Sequence, residues 1–513
     1  MQESRGAGRL CKEALGSINA TAVPAKELFE LPEKILQFGT GVLLRGLPDY
    51  YIDQANKQGI FNGRIVIVKS TPQNSADDFK EQDGLYTLCL RGWQNGEATS
   101  KDIINSSVSR VIDSTTDWNA VLQTAASPDM KIVFSNTTEV GIVLDKTDLL
   151  KNGVTPRSFP GKLLAFLLER FERFEGDPEK GMIIVPAELI TDNGSTLRKI
   201  CLELAKINQL SQPFIHWLEN NNAFCDSLVD RIVSGRMQPD EEQKQLDRLG
   251  YTDRLMIMSE VYGLWAIQTA DPKTTAALSF QQVDPGVIVT ASIEKYRHLK
   301  LFLLNAPHTF TCIIAQALGF QFVNEAMSDQ LFEAFIRGLL MDEAVPAVSG
   351  PDITIEEAKA FAGQVLDRFK NPYIDHRWSD ISKQMTLKMG MRCLPLISDY
   401  YIKFNRLPVR MIQGVAAYFL FLMCQNSDRD EAGGVQRSSL NGKDFPLTDA
   451  KAAILAAYWR HENRNPAEVI GQILNDNRLW PAAVVSELSN IGGLATAIAA
   501  AMKAMDFGKQ IKI

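Results

Sequence analysis

Short apolar runs with almost no interruption recur through the first part of the chain: "KILQFG" (34–39), "RIVIVKS" (64–70), "KIVFSNT" (131–137) and "GMIIVPAELI" (181–190). A strand with one face in water alternates polar and apolar residues. A strand that does not alternate is buried on both faces, which is the condition of a parallel sheet sandwiched between helices. Helical patterns separate the runs, as in "KLLAFLLERFERF" (162–174). Strand, helix, strand in succession is the mark of βαβ units. "LYTLCLRG" (85–92) alternates more and is read as a strand of an added antiparallel piece.

From about residue 285 the pattern changes. "IEKYRHLKLFLLNA", "DQLFEAFIRGLLMDEAV", "TIEEAKAFAGQVLDRF", "GVAAYFLFLMCQN", "DAKAAILAAYWRHE", "PAEVIGQILND" and "LATAIAAAMKAM" all have helical period. No strand is expected after 285, and "QQVDPGVIVTAS" (281–292) reads as the join. A chain of 513 residues is too long for one core. The expected division is an α/β domain over residues 1–285 and an all-α domain over 286–513.

The first strand runs into "FGTGVLLRG" (38–46). Gly39 and Gly41 stand where a Rossmann fold needs a tight turn and close backbone approach to a pyrophosphate, with Phe38 and Thr40 completing the turn. Gly46 comes two residues later than the standard third glycine. The alternative is that these glycines only shape a strand-to-helix turn. With a strand before and a helix after, the expectation is an α/β N-terminal Rossmann-type domain followed by an all-α C-terminal domain, the first binding a dinucleotide. NAD-binding folds commonly place an acid at the end of the second strand to hold the ribose hydroxyls. Here that strand ends in Lys69 and Ser70, and Asp77 and Asp78 come later. Lys69 suits a 2′-phosphate, so spacing alone leaves NAD and NADP evenly balanced.

The segment "KLFLLNAPH" (300–308) sets Lys300, Asn305 and His308 inside an apolar helical run. At about 100° per residue, Asn305 lies roughly 140° from Lys300 and His308 roughly 80° from it, so the three share one broad face with the histidine between the others. Pro307 should remove a hydrogen bond and kink the helix. Taken singly, the lysine reads as a snorkelling side chain and the histidine as a satisfied core residue. Together beside a dinucleotide fold they form a coherent chemistry. Reducing a ketone leaves an alkoxide that must be stabilised and protonated. A desolvated lysine exchanges a proton near neutrality, an asparagine amide donates to the oxyanion, and a histidine orients either.

These residues carry a resemblance to the mannitol dehydrogenase family, the polyol-specific long-chain dehydrogenases and reductases. Its Lys-x4-Asn-x2-His helix motif is matched by Lys300, Asn305 and His308, and its glycine turn by "FGTGVLLRG". "TTEVG" (137–141) resembles the Thr-Glu-x-Gly segment near the nicotinamide, which implies Thr138 and Glu139 there. "SLVDRIV" (227–233) resembles the Val-Asp-Arg motif, with Asp230 as the matching acid, and "SEVYGLWAIQ" (259–268) a further segment. Within the family, "FGTGVLLRGLPDYYID", "DGLYTLCLRG", "NPYIDH" and "LNAPHT" most resemble the uronate-reducing branch. That implies NADH-dependent, metal-independent reduction of tagaturonate to altronate, with Lys300 as general acid and base. Fructuronate reduction, or oxidation of a neutral polyol, is the alternative.

The chain also departs from the polyol enzymes. Glu188 and Leu189 stand where an Asp-Asn pair belongs, which leaves Asn193 as the nearest substitute for a substrate amide. Arg297 replaces a glutamate three residues before the lysine, and Lys388 and Arg392 add cations near "LKMGMRCLP" (387–395). Gaining positive charge fits a substrate with a carboxylate, with Arg392 preferred narrowly over Arg297 as its holder. The other reading of Lys388 and Arg392 is a solvated helix face.

A net charge of −7 argues against nucleic acid as a partner. The seven cysteines are scattered without a CxxC pair, and the five histidines (216, 298, 308, 376, 461) form no HxH or HxxxH spacing, so no metal site is expected. Neither a membrane span nor a signal peptide is read, so a cytoplasmic location is expected, while oligomeric state stays open. A protein that only senses a dinucleotide is the competing class. It has no use for a proton donor such as Lys300.

Overall fold

The computed structural model describes residues 8–18, 21–70, 76–94, 96–137, 141–151, 153–423, 437–440, 443–459 and 465–505. The chain divides into two compact units, one of residues up to 92 with 99–293, the other of residues 93–98 with 294 onward.

The first unit is built on strands β1 (Glu33–Phe38), β2 (Arg64–Lys69), β3 (Tyr86–Gln94), β4 (Glu97–Asn105), β5 (Val108–Asp113), β6 (Ile132–Ser135), β7 (Ile183–Pro186), β8 (Ala223–Phe224), β9 (Ser227–Asp230), β10 (Val233–Gly235), β11 (Ile257–Glu260), β12 (Leu264–Gln268) and β13 (Val287–Thr290). Six of them form a sheet in the order β5-β2-β1-β6-β7-β8, parallel throughout. Its strands do not alternate because successive residues enter two different cores. Ile35, Ile65 and Ile67 pack on one face; Leu36, Phe38, Val66 and Val68 pack on the other. Full burial of such a side chain contributes about 1.5–3 kcal/mol, so a charged residue at any of these positions breaks the sheet. The chain leaves β1 toward β2 on one side and later returns to β6 on the other. The carboxyl end of β1 is therefore the switch point at which open α/β sheets bind ligands.

Two smaller sheets follow, β10-β11-β3-β4 and β13-β12-β9. Strand β13 corrects the expectation of no strand beyond 285. Its β-branched "VIVT" pairs in parallel with β12, Trp265 opposite Val287.

Among the described residues, the second unit is helical apart from the short ends of β3 and β4 at 93–98 and a hairpin, Arg437–Leu440 with Lys443–Pro446, which sequence periodicity did not register. Its longest apolar helix, Glu294–Leu318, has the length and hydropathy to cross a membrane, but 78% of its apolar window is buried inside the protein. Among the described residues, three stretches of this unit are π-helical: Lys300–Asn305, Leu339–Ala344 and Met389–Cys393. Each ends two residues before a proline, at Pro307, Pro346 and Pro395. A proline within a helix has no N–H to give, and its ring collides with the carbonyl four residues back. A wider turn, bonded to the fifth residue instead of the fourth, accommodates both problems. The expected kink at Pro307 is thus absorbed as a local widening.

Candidate active site

The glycine turn has the shape that close ligand approach requires. Gly39 has φ +123°, a conformation side chains other than glycine rarely adopt. A Cβ there would stand 3.2 Å from the Asn136 carbonyl oxygen. Around the Cβ position of Gly41 there is nothing within 4 Å, which leaves room for a phosphate against the backbone. Buried polar side chains hold the turn. Gln37 donates to the Gly39 carbonyl at 3.3 Å and Arg45 to the Thr40 carbonyl at 3.2 Å. The late Gly46 serves packing, since a Cβ there would meet Val233 at 2.7 Å. Phe38 is 1% exposed and its ring packs on Phe159 at 5.1 Å, so what it presents at the turn is its backbone. These residues fit a bound dinucleotide.

Lys69 is 5% exposed and ion-paired with Asp113 at 2.8 Å. Asp230 ends β9 and is buried. Thr138 and Glu139 lie outside the described residues.

Glu188, noted in the sequence only as a departure, organises the end of β6. Its carboxylate accepts from Ser135 Oγ and from the amide and hydroxyl of Thr137, each at 3.0 Å. Burial raises its pKa against those bonds. Asn193, expected as a substitute substrate amide, has a structural setting. It is fully buried, and its Nδ2 faces the carbonyls of Pro186, Glu188 and Ser227, while its Oδ1 accepts from the amides of Gly194 and Ser227. Its amide is consumed in tying β7 to β9.

In the second unit, Lys300 opens the π-helical turn and Asn305 closes it. The expected angle of about 140° between them holds for an α-helix. Here amides bond to carbonyls five residues back, so residues five apart stack on one face. The widened turn therefore aligns Lys300 with Asn305 better than sequence spacing implied. His308 sits on the following α-helical turn and is buried. Its ring stacks on Phe369 at 4.0 Å and meets His376 edge-on at 4.9 Å. Burial drives its pKa well down, helped by His376, Arg368, Arg392 and Lys388, so the imidazole is neutral. Its Nε2 is buried without a hydrogen-bond partner among the described residues.

The charges acting on His308 are all basic. Lys388 is half-buried, donates to the Ile381 carbonyl at 2.8 Å, and has its pKa lowered by burial and by Arg392. Arg392 lies on the third π-helical turn and donates to the Asn305 carbonyl at 3.4 Å, and its Nε is buried without a partner among the described residues. These two are therefore not on a solvated face. Arg297 instead forms an ion pair with Glu294, one turn earlier on its own helix, at 2.5 Å. Sequence reading missed His376, Asp113 and the clamp formed by Gln37 and Arg45. "NPYIDH" was the only signal for His376. Asp113 had none, because its partner lies on another strand.

Two family models match the chain: the mannitol dehydrogenase Rossmann domain over residues 33–279 and the mannitol dehydrogenase C-terminal domain over 292–474. Among curated proteins, an altronate oxidoreductase of Halalkalibacterium halodurans is 36% identical over 88% of this chain and 87% of its own length. An altronate oxidoreductase of Bacillus subtilis is 35% identical over 88% and 89%. Among solved structures, the Pseudomonas fluorescens mannitol 2-dehydrogenase ternary complex with NAD and D-mannitol matches with a TM-score of 0.65 and 22% identity, over 98% of this chain and 97% of that one. It shares the fold. The chain belongs to the mannitol dehydrogenase family.

Proposed function

We propose that this protein is an oxidoreductase that interconverts tagaturonate and altronate with NADH and NAD. The observation that carries the reading is the meeting of two features in the second unit. Lys300 and Asn305 share one π-helical turn, and partly buried Lys388 and Arg392 lie beside it. The first feature suits reduction of a carbonyl, the second a substrate with a carboxylate. The names of the relatives at 36% and 35% identity support the same substrate pair.

The first unit holds the dinucleotide and the second carries the catalytic and substrate-binding groups. The backbone of Gly39, Thr40 and Gly41 takes the pyrophosphate, and the family resemblance assigns Thr138, Glu139 and Asp230 to the nicotinamide end. When bound, the dinucleotide supplies or accepts the hydride. Lys300 protonates the alkoxide in reduction and removes that proton in oxidation. The Asn305 amide donates to the oxyanion as its charge grows. Neutral His308 gives a hydrogen bond from a fixed ring without adding a charge. Arg392, assisted by Lys388, grips the carboxylate through two parallel hydrogen bonds. Arg297 is occupied with Glu294 and takes a lesser part. A cytoplasmic location fits the six described cysteines, all free thiols.

The test is a steady-state comparison of NADH oxidation with tagaturonate, fructuronate and fructose. The highest kcat/KM is expected with tagaturonate. Preference for fructuronate moves the substrate within the uronates, and preference for fructose removes the carboxylate argument. No turnover with any of them, alongside dinucleotide binding, favours a sensor.

A further inference from the structure

We infer that Asp113, a residue of the sheet's edge strand, sets the preference for NADH over NADPH by neutralising Lys69 beside the dinucleotide turn. This rests on the reading of the first unit as a dinucleotide-binding domain.

Three observations carry it. The ends of β1, β2 and β5 are aligned: Phe38 is opposite Val68, and Lys69 is opposite Asp113. The glycine turn is bonded to this same edge, since the Gly39 amide donates to the Val68 carbonyl at 3.1 Å. The last residue of β2, where dinucleotide folds meet the adenosine ribose, is therefore a lysine whose ammonium is already held by a carboxylate at 2.8 Å.

The carboxylate is firmly placed and partly open. Its Oδ1 accepts from the amide and hydroxyl of Thr115 at 2.9 and 2.6 Å. The Ser114 amide and hydroxyl both donate to the Lys69 carbonyl at 2.9 Å. Side-chain exposure is 22% for Asp113 against 5% for Lys69, so an arriving ligand meets the acid more readily than the base. Burial alone raises the pKa of Asp113, yet the bonds from Lys69 and Thr115 outweigh it and hold the carboxyl at about 2. Asp113 is thus charged at every working pH.

An ionised carboxylate at this edge accepts hydroxyl hydrogens and repels a 2′-phosphate. Lys69, the residue that alone would welcome that phosphate, has its charge cancelled. The usual acid at the end of the second strand is supplied here from the neighbouring strand, 44 residues away.

The test measures dissociation constants of NADH and NADPH by fluorescence titration, and of 5′-AMP and adenosine 2′,5′-bisphosphate by calorimetry. Wild type, Asp113→Asn, and the neutral pair Lys69→Met with Asp113→Leu are compared. Wild type should bind NADH and 5′-AMP the tighter. Asp113→Asn should shift the NADPH-to-NADH affinity ratio toward NADPH by about ten- to a hundredfold, the scale of one charge-assisted contact. That gain should fade at high salt. The neutral pair guards against misfolding, because replacing both members of an ion pair with a buried cation by apolar residues is often tolerated, whereas removing one member leaves the other uncompensated. It should shift the ratio in the same direction by less.

An unchanged ratio in folded Asp113→Asn, or in the neutral pair, overturns the role of Asp113 and leaves the dinucleotide reading standing. So does a wild type that prefers NADPH. A wild type that binds none of the four ligands overturns the dinucleotide reading itself.

Discussion

Arg392 donates from its guanidinium to the main-chain carbonyl of Asn305 at 3.4 Å, joining two π-helical turns that are 87 residues apart in the chain. A cation suited to a carboxylate is thereby registered against the amide suited to an oxyanion. The distance between those two groups suits a substrate that carries both a ketone and a carboxylate, which a neutral ketose does not.

Arg392→Leu should lower kcat/KM for tagaturonate by about one to two decades, the scale of a charge-assisted hydrogen bond of roughly 1.5–3 kcal/mol. NADH affinity should stay unchanged. Arg297→Leu should cost less, because Arg297 is spent on Glu294. Steady-state kinetics of the two variants decides the matter, and a larger loss with Arg297→Leu reverses their roles.

Lys300→Ala should cut turnover by about 10²- to 10⁴-fold, the usual contribution of a positioned acid-base group. The dissociation constant of NADH should barely move. Near-normal turnover in this variant removes Lys300 from proton transfer.

Asn305→Leu should lower kcat by about 10²- to 10³-fold, as loss of one oxyanion donor does. Asn305 also closes the π-helical turn, so circular dichroism and thermal melting must be recorded with the kinetics. A loss confined to KM points to ground-state binding alone.

Asp49 is fully buried beside Gln37, and burial lifts its pKa to about 8. In the unfolded chain it ionises near 3.8, so between about pH 4 and 8 the folded state holds a proton that the unfolded state has released. Its contribution to stability therefore falls as pH rises through that window. Asp49→Asn should have stability close to wild type at pH 4 and a higher melting temperature at pH 8, with a stability gain there on the order of 1 kcal/mol or more. A difference independent of pH sinks this account.

Dialysis against a strong chelator should leave activity intact. Among the described residues no group of three His, Cys, Asp or Glu side chains is placed to hold a metal. Activity lost on dialysis and restored by zinc overturns the expectation.

The sequence by itself determined what depends on neighbours along the chain. Unbroken apolar runs imply strands buried on both faces, and Ile65 and Val66 do enter opposite cores. The glycines after β1 imply a tight turn, and Gly39 takes a conformation that suits glycine alone. The spacing of Lys300, Asn305 and His308 was legible as a motif, and its family resemblance with it. The short strand Val287–Thr290 escaped because it lies between the Asp284-Pro285-Gly286 turn and the first helical run, where the stretch reads as a join.

Only the tertiary structure decided which polar groups were already engaged. Lys69 looked like a free cation until β5 placed Asp113 beside it. Asn193 looked like a substrate amide until β7 and β9 consumed both ends of it. Lys300 and Asn305 stand at the two ends of one widened turn, which brings them closer in angle than the broad face of α-helical spacing implied. The reason is the same in each case. Hydrophobic period is written locally, whereas an ion pair or a satisfied amide depends on strand order and helix packing, which bring together residues tens of positions apart.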